Sequence, residues 1–528
     1  MRHDRPRIRW HELVDDLAKI TSKSQLARRL SVQPKEVARW IAGTSTPQGQ
    51  NAEKILGEAH LNMVSWQKYA GTIAAYDLHQ TFATNAKEGP SGLFNYEGLI
   101  PSIPASFLDL ELNSPLGVPA SMLTLDSRWT TPLSRMGFDV LTYKTVRTTH
   151  VHAHSFPNCA YLPELTKPLP VNPQNHPNST RGTFDCPDVS ISEISLANSF
   201  GMPSLAPAVW QADIARALSA LRSKQVLIVS VVGTVMEQSD LVEDFVHCAR
   251  LASDTGAHAI ELNFSCPNVY VREEGSIYRM PELAERIVTK VRQELPHGRI
   301  LVKLGFLRPE ELESLFSSTY RHVDGYTAIN SIPMMVIATG QRDEPLFPGN
   351  DRNKPGVSGV AIRECALQTV RGLNGLRTKF GKPDLAIVGV GGISQSEHIT
   401  EFRSEGADVV QIGTACIFDP TVGIEIRKRL AADGYGQPRS RSLGQRAPSI
   451  TFSDEASATA FDLTLEVAAE MQVPFDTAYK AVQREWLGPY LRDIERVQHS
   501  GNGVAKTRRH PPSKDQIRLW VRGEKNFK

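Results

Sequence analysis

Ala257-His258-Ala259-Ile260-Glu261-Leu262-Asn263-Phe264-Ser265-Cys266-Pro267-Asn268 runs from an apolar stretch into a thiol flanked by two carboxamides. Residues 257–262 read as a buried parallel strand that ends at a proline, and reactive groups sit where such strands end. Cys266, between Asn263 and Asn268, can there abstract a proton from a polar, planar substrate. The plainer alternative for an isolated cysteine is a structural thiol in a turn, so the surrounding chain has to decide.

Seven other runs share this character: 116–123, 138–144, 226–232, 300–304, 323–330, 385–390 and 408–412. Amphipathic helical segments separate them, so residues 100–435 describe a (β/α)8 TIM barrel, whose strands are buried on both faces and hence continuously apolar. A doubly wound open sheet is the alternative. Polar groups gather where the runs end: Lys144 in Thr142-Tyr143-Lys144-Thr145, Asn263, Lys303 in Leu301-Val302-Lys303-Leu304, and Asn330-Ser331, with Asn198 in an intervening segment. Each alone has an ordinary explanation as a strand-end or turn residue. The last two runs lead into Gly391-Gly392 and Gly413-Thr414, glycines that let backbone N–H groups approach a phosphate at the position usual for this fold.

The 528-residue chain is 41% hydrophobic with a formal net charge of +2, which excludes a strongly basic polyanion binder as a description of the whole protein. Its six cysteines are scattered and form no CxxC pair, a pattern that suits a reducing compartment and neither a disulfide framework nor a zinc or iron–sulfur site. No run approaches the roughly 20 apolar residues of a membrane span, and the polar start lacks a signal-peptide core, so a cytoplasmic protein without membrane contact is expected.

Two zones flank the barrel. Residues 8–62 are helical in period, and Ser24–Val32 followed by Pro34–Gly43 resembles the helix-turn-helix of phage-repressor-like proteins, with Leu26, Ala27, Leu30, Val37, Trp40 and Ile41 in a small core. Arg28, Arg29, Lys35 and Arg39 would supply the cations for DNA; a helical docking module is the alternative. The last zone, 450–528, is expected to be a helical extension (453–471 and 475–497) ending in a basic tail with Lys506, Arg508, Arg509 and Lys514, for interaction or capping. A homo-oligomer is expected. The connection 148–193 is long and rich in proline, asparagine and histidine; His150, His152 and His154 share one side of an extended segment, which solvated loop histidines explain more simply than a metal.

Six stretches carry a family resemblance: Asn263–Asn268, Asn198-Ser199-Phe200-Gly201-Met202-Pro203, Ala328–Ile332, Gly356-Val357-Ser358-Gly359, Val388–Ile393 and Gln411–Ala415. Over about 110–430 they resemble, in order, the signature set of dihydroorotate dehydrogenases. The resemblance implies an FMN-binding barrel in which Cys266 aligns with the catalytic base of the soluble class 1 enzymes. It aligns Asn198, Asn263, Asn268, Asn330 and Ser331 with groups that hydrogen-bond the orotate ring and carboxylate, and Gly201 and Met202 with the carboxylate-binding loop. Lys144 and Lys303 align with lysines at the flavin, Lys144 also reaching the substrate; Gly359, Gly391, Gly392, Gly413 and Thr414 align with FMN contacts. No metal is implied.

The implied activity is oxidation of dihydroorotate to orotate, in pyrimidine biosynthesis, with Cys266 taking a proton and hydride passing to flavin N5. The chain departs from the pattern at Gly117-Val118-Pro119-Ala120-Ser121, at Ser204 and in the length of 148–193. A flavin oxidoreductase for another dihydropyrimidine or a cyclic enone is the alternative within the enzyme class. A DNA-binding regulator that uses the barrel as a sensor is the alternative outside it.

Overall fold

The computed structural model describes residues 10–48, 51, 54, 55, 75–90, 99–234, 240–265, 277–339, 344–349, 352–435, 467, 471, 481, 482 and 513–522. Two compact units divide the chain, Met1–Pro438 and Arg439–Lys528.

Each of the eight apolar runs coincides with one barrel strand, two of which run slightly past the expected end: β1 Leu116–Val118, β2 Val140–Val146, β3 Val226–Val231, β4 Ala259–Asn263, β5 Ile300–Leu304, β6 Gly325–Ala328, β7 Ala386–Val390 and β8 Val409–Gln411. They pair in parallel and in chain order, and β8 closes on β1 through Val410–Leu116 and Gln411–Gly117. Two glycines permit close strand approach: a Cβ on Gly117 would stand 2.2 Å from Val140 O, and one on Gly325 2.3 Å from Ala386 O. The hairpin of Ala105–Phe107 with Leu110–Leu112 plugs the N-terminal mouth, where Phe107 and Leu112 join Val140, Val226, Leu301 and Val409 in one apolar cluster.

At that same base a helix, Val422–Ala432, is tied to the start of β2 by an ion pair. Arg427 Nη1 lies 3.0 Å from Asp139 Oδ2, with side-chain exposures of 6% and 2%. Burial pushes the Asp139 carboxyl up and the Arg427 guanidinium down, each opposed by the partner's charge. Ser114 Oγ and Gln225 Nε2 also donate to this carboxylate, at 2.6 and 3.1 Å, so its lone pairs are satisfied.

Outside the barrel a four-stranded antiparallel sheet runs Ile332–Pro333, Gly356–Gly359, Ser195–Asn198, Cys159–Tyr161. The segment 148–193 is therefore not simply a loop. It supplies one strand of this sheet, and its Ser179–Gly182 pairs in parallel with Met335–Ala338.

Near the N-terminus, α1 (Trp10–Thr21), α2 (Lys23–Leu30) and α3 (Pro34–Ile41) share their own core of Leu13, Val14, Leu26, Leu30, Val37 and Trp40, with Ala18, Ala27 and Ile55. Ser22 caps α2, left-handed Ser31 ends it, and Pro34 opens α3 at a position where its missing N–H costs nothing. Ile41 packs at the edge of this core, partly buried. Arg28, Arg29, Lys35 and Arg39 are all exposed. In the last unit, Lys514, read as part of a basic tail, begins a helix over Lys514–Val521. The helices expected over 453–471 and 475–497 lie mostly outside the described residues, as do Lys506, Arg508 and Arg509. Among the described residues no helix is long and apolar enough to cross a membrane.

Candidate active site

Parallel strands deliver side chains to the C-terminal rim of the barrel, and there one cavity collects the residues singled out from the sequence. Lys144, Asn263 and Lys303 reach it from β2, β4 and β5; Asn330 and Ser331 follow β6; Gly391 and Gly392 follow β7; Gly413 and Thr414 follow β8. Asn198, Gly201, Met202 and Gly359 come from the antiparallel sheet and the turn beyond it. Cys266 and Asn268 lie outside the described residues.

The amides are held by backbone groups and by the Thr145 hydroxyl. Asn263, 4% exposed, donates Nδ2 to Thr145 Oγ1 at 3.1 Å and accepts at Oδ1 from the N–H of Ser265 at 3.3 Å. Ser265 Oγ donates to Lys303 O at 3.2 Å, and Asn330 Nδ2 donates to Ser265 O. Asn330 Oδ1 accepts the N–H of Ser331 at 2.9 Å. Asn198 Nδ2 donates across the sheet to Gly356 O at 3.0 Å. Ser265, the residue before Cys266, is thus fixed at its N–H, carbonyl and hydroxyl.

After β7, Gly391 and Gly392 have φ of +144° and +65°, backbone that L side chains rarely adopt. Among the described residues, a Cβ on Gly413 would meet only Pro119 Cγ, at 3.5 Å, and Gly413 lines the cavity. Behind Gly392, Arg363 Nη1 meets Nε2 of buried His398; burial and the guanidinium charge lower the imidazole's pKa to about 4.

Several site residues escaped the sequence reading. Thr145 follows Lys144 directly, and Ser358, 3.4 Å from Thr414 Oγ1, lies inside the Gly356–Gly359 quartet, so both stood beside residues that were noticed. Glu261, Thr327 and Gln411 form a polar layer below, two residues before Asn263, Ile329 and Gly413 and so on the same inward face. Among the described residues, each has a buried side-chain oxygen without a hydrogen-bond partner. A carboxylate in an apolar run was the available signal for Glu261.

All three histidines line a neighbouring cavity, but they differ in exposure: His150 and His152 are exposed with ring centroids 4.4 Å apart, while His154 is buried against Gly201. Among the described residues no group of three or more His, Cys, Asp or Glu could hold a metal.

The family described as dihydroorotate dehydrogenase matches residues 182–432. A dihydroorotate dehydrogenase from Dictyostelium discoideum is 34% identical over 361 residues, which cover 66% of this chain and 95% of that protein. The catalytic subunit of dihydroorotate dehydrogenase B (NAD(+)) from Thermodesulfovibrio yellowstonii is 31% identical over 189 residues, 35% of this chain and 57% of the relative. A crystal structure of DHODH from Eimeria tenella in complex with ferulenol shares the fold, with a TM-score of 0.50 at 17% identity over 67% of this chain and 91% of that one. With its closed eight-stranded barrel and near-complete coverage of the Dictyostelium relative, the chain belongs to the dihydroorotate dehydrogenase family.

Proposed function

We propose that the protein is an FMN-dependent enzyme that oxidises dihydroorotate to orotate by class 1 chemistry. The observation that carries this reading is one rim cavity where two lysines, three asparagine amides and the glycines after β7 and β8 converge. These residues fit FMN. Gly391, Gly392 and Gly413 leave backbone N–H groups accessible to a phosphate, Ser358 and Thr414 offer hydroxyls for the ribityl chain, and Lys303, 4% exposed, offers a fixed cation. Bound FMN would supply the hydride acceptor.

The chain's own residues supply the rest. Lys144 and the Asn198, Asn263 and Asn330 amides hydrogen-bond a planar ring with its carboxylate, and Cys266 takes the proton from the carbon beside the ring carbonyl. Ser265, fixed on three sides, holds the backbone that leads into Cys266. The five described cysteines are free, in keeping with a reducing, cytoplasmic setting.

Anaerobic mixing of the purified yellow protein with dihydroorotate tests the reading: the flavin absorbance should bleach. Cys266→Ala should keep FMN and bleach about 100-fold or more slowly, given the usual worth of a general base. Normal bleaching in that variant rules out the cysteine's role. Bleaching only by another dihydropyrimidine or an enone moves the substrate, and a protein that takes up no FMN ends the reading.

The N-terminal helices support a second activity, DNA binding. They pack around their own core and leave Arg28, Arg29, Lys35 and Arg39 exposed. Replacing Arg28, Arg29 and Arg39 by alanine should weaken DNA binding and flatten its salt dependence; undiminished binding refutes a groove contact through these residues.

A further inference from the structure

Two consecutive residues of the turn after Ser195–Asn198 have left-handed backbone, Gly201 at φ +75° and Met202 at φ +48°. For methionine this costs about 1–2 kcal/mol, and it persists only where the surroundings over-determine it. The inner side of the turn, from Asn198 through Phe200 to Met202, lines the rim cavity. The N–H groups of Phe200, Gly201 and Met202 meet no protein acceptor among the described residues, which leaves successive donors for an anion.

The outer side is gripped by the histidine segment and by Arg352, while Arg147 donates Nε to Met202 O at 3.2 Å. His154 N–H donates to Phe200 O at 3.0 Å, and Ser199 N–H donates to Asn158 O at 2.8 Å. Asn158 Nδ2 returns to Ser199 O at 3.2 Å. Arg352, 5% exposed, donates Nε to Ser199 Oγ at 3.0 Å and Nη2 to Ser199 O at 3.1 Å. It also holds the histidine segment through the carbonyls of Ser155 and Pro157. The His154 ring has Nδ1 3.3 Å from Ser199 Oγ and fills the space beside Gly201, where a Cβ would stand 2.5 Å from it.

We propose that His154 and Arg352 are positioning residues for recognition of the substrate's carboxylate. They clamp Ser199 and Gly201 from behind so that the turn presents its free N–H groups to the cavity. Neither residue lines the cavity, so neither touches the ring or the flavin directly. The inference rests on the proposed reading of the site and adds to it the means by which the turn is held.

The test compares orotate with uracil, the same ring without the carboxylate, by perturbation of the bound flavin's absorbance in wild type, His154→Ala, Arg352→Lys and Ser199→Ala. The clamp predicts that His154→Ala and Arg352→Lys weaken orotate by about tenfold or more, since small misplacements of binding groups are costly, with uracil and FMN affinities changed less than about twofold. Ser199→Ala removes only the shared hydroxyl and should shift orotate in the same direction by a smaller factor; it keeps the test available if a larger change prevents folding. Equal weakening of orotate and uracil, or of neither, overturns the clamp. Wild-type protein that binds neither FMN nor orotate overturns the functional reading beneath it, whereas wild type that binds both with an unchanged variant ratio overturns the clamp alone.

Discussion

Adding one methyl at Gly392 probes the proposed phosphate contact of the backbone after β7. Gly392 has φ +65°, where a Cβ costs about 1 kcal/mol or slightly more. The new carbon would stand 2.7 Å from Arg363 Cβ and 2.9 Å from Gly359 O. Neither atom is the end of a flexible side chain, so the backbone has to shift, adding roughly 1–3 kcal/mol. Gly381 separates the two contributions: its φ is +63°, yet nothing among the described residues lies within 4 Å of its added Cβ. Gly381→Ala should therefore lower apoprotein stability by about 1 kcal/mol and leave FMN binding alone. Gly392→Ala should cost about 2–4 kcal/mol in urea denaturation and weaken FMN by at least ~tenfold in a fluorescence-quenching titration. If Gly392→Ala shows its stability loss yet binds FMN within about threefold of wild type, the backbone after β7 does not hold the phosphate.

Two further outcomes follow from buried charges. Arg427→Met leaves Asp139 buried without its cation and should cost about 3–5 kcal/mol in thermal denaturation, with part regained in the Asp139→Asn/Arg427→Met double variant; a loss below about 1 kcal/mol refutes the pair's role at the barrel base. His398 titrates at about 4 in the folded protein against 6.5 ordinarily, so its neutral form is the one folding favours. That stability is complete above pH 6.5 and is lost as pH falls toward 4, at most about 3 kcal/mol. Melting curves from pH 7 to 4 should fall more steeply for wild type than for His398→Gln, and parallel curves would contradict this.

The barrel was legible because strands buried on both faces must be apolar throughout, and all eight runs became β1–β8. The rim was legible because Lys144, Asn263, Lys303, Asn330 and the glycines stand at strand ends, where parallel topology has to bring them together. Less could be read above the rim. The antiparallel strands there have two to four residues each, too short for any period to show, and their pairing joins Gly356 to Asn198 across a large stretch of sequence. Arg352 gave no local signal, since its partners Ser155, Pro157 and Ser199 are distant in the chain. The histidine triplet was noticed for its spacing, but tertiary packing buried His154 and left His150 and His152 exposed along the same neighbouring cavity.

The closing pair of β8 with β1 bears on how the chain is made. During synthesis β1 to β7 emerge in order and each can pair with the strand before it, but β1 keeps an open edge until Val409–Gln411 leaves the ribosome. An exposed row of backbone donors and acceptors invites pairing with another chain. Late closure thus makes the nearly complete polypeptide the form most in need of protection, and ribosomes stalled between β7 and β8 should release the most aggregation-prone product.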